Sequence, residues 1–79
     1  MPADPQPLTS LAEGAAATVA ELRVPAECRG RLLEMGLLAG TRVELVRFAP
    51  LGDPVEVRVR GYHLTLRKHE AEQIWVRPK

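Results

Sequence analysis

Few side chains in this sequence could do chemistry. They are one thiol (Cys28), the hydroxyls of Ser10 and the threonines, and two imidazoles, His63 and His69. A nucleophile needs a base within hydrogen-bond reach, and that base needs a group to orient it. Cys28, Leu32 and Met35 fall at i, i+4 and i+7, so the thiol is expected on the apolar face of a helix. There it behaves as a small, inert hydrophobe. Ser10 stands where a short helical turn is expected, with Thr9 or Ser10 as its cap, so its hydroxyl serves the backbone. No nucleophile–base pair emerges, and the chain is read as a non-enzyme.

Cys28, His63, His69, Glu70 and Glu72 are the available metal ligands, but no CxxC, HxxxH or HExxH spacing joins them. No dedicated metal site and no cofactor are expected. Gly52 stands alone, without the glycine scaffolding that presents several N–H groups to a phosphate, and Asp53 beside it repels anions. Arg58, Arg60, Arg67 and Lys68 could line a basic strand for nucleic acid. Tyr62 is then the single nearby stacking aromatic, where single-strand binders offer several.

The charge is uneven. Residues 1–53 carry five basic and seven acidic side chains, a balance of −2, and residues 54–79 carry six and three, a balance of +3. The net +1 falls short of a nucleic-acid-binding footprint. An apolar fraction of 46% is too high for a disordered chain. The 79 residues hold one domain with one modest core, and a single cysteine leaves that core without an internal disulfide. The start MPADPQP has neither the basic head nor the apolar centre of a signal peptide, and no run is long enough to cross a bilayer. A cytoplasmic location without membrane insertion is expected.

Residues 1–7 read as a stiff proline-rich arm and 8–79 as the single domain. AAATVAELRV (15–24) is ambiguous: alanine, glutamate and leucine favour a helix, Thr18, Val19 and Val24 a strand. Pro25 suits the first position of a helix running to Met35, with Gly36 as its stop and Leu37 folding back. Gly30 inside that helix points to a close approach by another group. From Gly40 the period becomes two. TRVELVRF carries apolar residues on both faces, as a twisting or bulged strand does. VEVRVR alternates cleanly, and pairing Val43 with Val59 and Leu45 with Val57 sets Glu44 opposite Arg58. That register leaves 48–54, with Pro50, Gly52 and Pro54, as a rigid connection. Gly61–Tyr62 turns the chain into HLTL, with Leu64 and Leu66 inward. RKHEAEQ then forms one helical turn, and IWV closes with Ile74 and Val76 inward. Short strands, glycine turns and one inserted helix predict a mainly β fold, a small SH3-like barrel.

Three stretches, LTSLAEG (8–14), RLLEMGLLAGTRVEL (31–45) and APLGDPVEVRVRGYHLTLRKHEAEQIWV (49–76), resemble the FeoA family, the small cytosolic component of bacterial ferrous-iron transport. Arg31, Leu32, Met35, Gly36 and Gly40 carry the family's helix-to-strand motif, with Ala39 where many relatives have proline. The domain is also similar to the C-terminal SH3-like module of diphtheria-toxin-repressor-type regulators, here without a winged helix before it.

The resemblance implies that 15–24 is the first barrel strand and that helix 25–35 is inserted between the first two. It also implies a non-catalytic accessory protein acting on the ferrous iron permease, on the side of its cytosolic GTP-binding domain. Candidate contacts are Pro50, Leu51, Gly52 and Asp53 in the loop, and Leu37 and Leu38 at the helix end. Core packing is the competing role for each leucine. The alternatives are a small nucleic-acid-binding barrel and a metal-responsive regulatory domain. Self-association into an oligomer is compatible with the sequence.

Overall fold

The computed structural model describes residues 4–78. A six-stranded antiparallel sheet runs in the order β1-β6-β2-β3-β4-β5. Its strands are β1 (Gln6–Pro7), β2 (Ala16–Leu22), β3 (Arg42–Phe48), β4 (Val55–Val59), β5 (Tyr62–Leu66) and β6 (Ile74–Pro78). Two helices interrupt them, α1 (Ala26–Glu34) between β2 and β3 and α2 (Lys68–Ala71) between β5 and β6. The fold class is as expected; segment 15–24 holds a strand, Ala16–Leu22, but as the second in the chain rather than the first, because Gln6–Pro7 precedes it, and the inserted helix lies between β2 and β3.

The alternation in β4 sets the core. Val55, Val57 and Val59 are buried, while Glu56 and Arg58 face outward. The register against β3 is the expected one, Val43↔Val59, Glu44↔Arg58 and Leu45↔Val57. It then shifts between Leu45 and Arg47, so the apolar residues on both faces of TRVELVRF mark a bulge. A second irregularity lies in β2 between Val19 and Glu21. Val19, Leu45, Leu66, Ile74 and Val76, from four other strands, join the β4 valines in one cluster, so the sheet wraps around its core.

Helix α1 starts one position later than predicted: Pro25 is its N-cap in extended conformation. Leu32 is buried, and Cys28 and Met35 pack partly against the core. The helix ends in a Schellman arrangement, with Gly36 N–H donating to Leu33 O (3.0 Å) and Leu37 N–H to Leu32 O (3.1 Å). Gly36 takes φ +94°, a conformation that disfavours any side chain.

Three expectations are corrected. Gly30 has open space where a Cβ would stand, so no neighbour approaches it. The arm is not wholly free: Gln6 pairs with Val76 and Pro7 with Trp75, making the end of the arm an edge strand, where a proline lacking N–H is tolerated. Neither Thr9 nor Ser10 caps the turn Leu8–Ser10, because Pro7 is its N-cap. Ser10 Oγ instead donates to Pro7 O and accepts from Gln6 Nε2, each at 2.6 Å.

Candidate functional site

The loop between β3 and β4 is built as a β-turn followed by a tether. Gly52 N–H donates to Ala49 O (2.7 Å), with Pro50 at the second turn position, where its fixed φ fits. Leu51, at the third position, carries no positive φ, and Gly52 follows at +86°. Ala49 N–H then donates to Pro54 O (3.0 Å), closing the loop base. The Asp53–Pro54 peptide is cis. Leu51 thus stands at the apex, 96% exposed.

Asp53, itself exposed, reaches across to α2: its Oδ1 accepts from Lys68 N–H (2.9 Å), the first residue of that helix. That N–H is one that a helix start leaves without an intrahelical partner. Glu70 fixes that anchor by accepting from Arg67 N–H (3.2 Å) at the start of α2 and pairing with Arg31 on α1. From the other side, Glu13 Oε2 accepts from Phe48 N–H (2.9 Å). The loop is therefore held at both ends, and a segment ordered beforehand loses less freedom on binding.

The helix end is divided between inside and outside. Leu37 is fully buried by the Schellman turn, so its candidacy as a contact is withdrawn and its role is core packing. Leu38, one residue on, is 39% exposed. Leu38 precedes the start of β3 and Leu51 follows its end, so seven residues of strand, roughly 20 Å, separate them. The structure brings Pro50, Leu51, Gly52 and Asp53 together and leaves Leu38 elsewhere. Of the motif residues, Arg31 joins the two helices, Leu32 is core, and Gly40 (φ +89°) donates to Val19 O (2.7 Å) to return the chain to the sheet.

The four cations considered for nucleic acid divide as well. Arg60 lies at one end of the β4–β5 hairpin and Arg67 and Lys68 at the other. Glu56 sits between, bonded to Arg47 (2.6 Å) and His63 (3.1 Å). Among the described residues, no three of His, Cys, Asp and Glu gather in one place, and no helix is long and apolar enough to cross a membrane.

A second surface was not singled out from the sequence. Glu34, Met35, Gly36, Val59, Arg60, Tyr62, His63 and Leu64 line a shallow groove beside β5, with Tyr62 73% exposed. The spacing of Tyr62 and Leu64 on one strand is the available signal, but the expectation placed Tyr62 in the turn and Leu64 inward. On the outer sheet face, Gly40, Thr41, Arg42, Glu44, Arg58, Arg60 and Gly61 line another cleft.

The FeoA domain model matches residues 6–78. A curated relative, the Fe(2+) transport protein A/Fe(2+) transporter FeoB fusion protein of Porphyromonas gingivalis, is 36% identical over 69 residues. The match takes in 87% of this chain and 8% of that relative's length. The solution structure of the FeoA protein of Chlorobium tepidum superposes with a TM-score of 0.87 at 41% identity, covering 92% of this chain and 70% of that one. A manganese-dependent transcriptional repressor complexed with manganese superposes at 0.89 with 18% identity, over 98% of this chain and 38% of that chain, a likeness of fold alone.

Proposed function

The chain belongs to the FeoA domain family, and from that premise we propose that it is a non-catalytic accessory protein of ferrous iron uptake. It works in the cytosol by binding the cytosolic GTP-binding part of the iron permease. The observation that carries the reading is the Porphyromonas gingivalis relative, in which transport protein A and transporter FeoB form one fused protein. Joining two modules raises the effective concentration of each at the other, which benefits modules that must touch.

The contact assigned to this chain is the 49–54 loop, with Pro50, Leu51 and Gly52 forming its surface. A fully exposed leucine on a turn fixed at both ends gives apolar area at little ordering cost. Asp53 supports the loop from behind. Leu38, at the far end of β3, belongs to a different face and is secondary.

The test is calorimetric titration of the protein into the permease's isolated cytosolic domain, in the nucleotide-free, diphosphate and triphosphate-analogue states. Leu51→Ala is expected to weaken binding about tenfold or more, as truncation of an interface anchor does, with the circular dichroism spectrum unchanged. Wild-type affinity in Leu51→Ala would remove the loop as the contact. Absence of binding in every nucleotide state would remove the partner.

A further inference from the structure

The outer-face cleft between β3 and β4 concentrates positive charge in an unusual way. Val43 pairs with Val59; Arg42 precedes Val43 at the start of β3, and Arg60 follows Val59 in the turn just beyond β4. Both line one cleft, where their like charges repel. Arg58 lies on the same outward face. Its one acidic partner, Glu44, is at 4.0 Å, the limit of an ion pair. Neither Arg42 nor Arg60 has a carboxylate within ion-pair distance among the described residues. Three guanidinium groups against one carboxylate leave the cleft at +2.

A second observation is independent of charge. Arg60 takes φ +53°, the one non-glycine residue with a positive φ among those described. Arg60 and Gly61 form the two-residue connection between Val59 and Tyr62, and both positive φ values match a type I′ turn. Asparagine and glycine suit that first position, whereas arginine carries a conformational penalty there. An arginine standing at such a strained position points to what its side chain does.

We propose that this cleft is an oxyanion site for phosphate groups, with Arg42 and Arg60 as the two gripping forks and Arg58 as the third donor. Guanidinium groups meet phosphate oxygens bidentately, and a compact dianion neutralises the +2 balance in one place. The cleft, about 430 Å³, admits a chain of two or three phosphates. It offers no aromatic ring among its lining residues for a base, so recognition centres on the anion.

The test uses inorganic phosphate, pyrophosphate and a nucleoside triphosphate as probes, at about 50 mM salt to limit screening. Binding is followed by calorimetry and by amide shifts. Pyrophosphate is expected to bind with Kd below about 1 mM and to shift amides of residues 40–44 and 58–61. Arg42→Ala and Arg60→Asn should each weaken it about tenfold, as loss of a charge-assisted pair does. Arg60→Asn should at the same time raise Tm, because asparagine relieves the turn, so lost binding cannot be put down to misfolding. Equal affinity for pyrophosphate and triphosphate identifies a free anion as the source, and tighter triphosphate binding identifies a nucleotide tail; both support the site. Wild-type pyrophosphate affinity in Arg60→Asn overturns it. So does binding of a glutamate-rich peptide or of single-stranded RNA with no shift on pyrophosphate addition.

Discussion

Two hairpins share β4 and solve the reversal of the chain in opposite ways. The β4–β5 connection uses two residues, Arg60 and Gly61, both in left-handed conformation. The β3–β4 connection uses residues 49–54, an internal turn, and a carboxylate reaching fifteen positions along the chain to the start of α2. The short turn places its strain in the backbone, and its one side chain, Arg60, runs beside Gly36 with no carboxylate in ion-pair distance among the described residues. The long loop is relaxed at its apex and fastened at its base. A hairpin that only needed to reverse direction would resemble the first, so the extra residues of the second require another purpose. What they do is project Leu51, the residue that the proposed function assigns to partner contact.

The largest test of this contrast asks whether both hairpins depend on one core. Leu45→Ala, on the strand feeding the long loop, and Leu66→Ala, on the strand leaving the short turn, are both fully buried losses. Each is expected to cost about 2–5 kcal/mol in urea unfolding. A markedly cheaper Leu66→Ala would mean that the second hairpin is fastened to the core less firmly.

Next comes Gly61→Ala, which puts a Cβ on a residue at φ +81° with open space around it. Its cost of about 1–2 kcal/mol is then purely conformational. Thermal melting should fall by roughly 4–8 °C per kcal/mol for a domain of this size. A neutral outcome would show that the short turn is not strained.

Asp53→Ala removes the tether, and a loss of about 1 kcal/mol is expected, the usual worth of a side chain satisfying a helix-start N–H. Hydrogen exchange at Lys68 should quicken with it. Unchanged exchange there would break the picture of a fastened loop. Smallest is Leu51→Ala, whose effect on stability should stay within about 0.5 kcal/mol while its effect on partner binding is large. A destabilised Leu51→Ala would place that side chain in the fold.

How much of this could be read from residues alone depended on the range of the interaction. The β3–β4 register was legible because VEVRVR alternates strictly and a one-residue slip would turn every valine outward. Segment 15–24 was not, because alanines carry no period and the local propensities cancel. The resemblance decided it. Leu37 and Leu38 are identical in type and adjacent, and the Schellman turn alone sends one inward. The short turn was expected at Gly61–Tyr62 and lies one residue earlier, since arginine is not a residue that announces a left-handed turn. Asp53 was legible as a loop former but not as a tether, because its partner is a backbone N–H fifteen residues on, invisible to any local pattern. The arm's share in the sheet rests on two residues of edge pairing, too short to leave a hydrophobic signature.

The pairing of Gln6 with Val76 has a consequence for how such a module can be handled in a longer polypeptide. The chain enters and leaves its domain side by side, at one corner of the sheet. A flexible linker of a few residues could bridge the two ends and allow new ends to be opened elsewhere, the geometry that circular permutation needs. For the same reason a neighbour joined before the first described residue or after the last would attach at the same corner of the sheet.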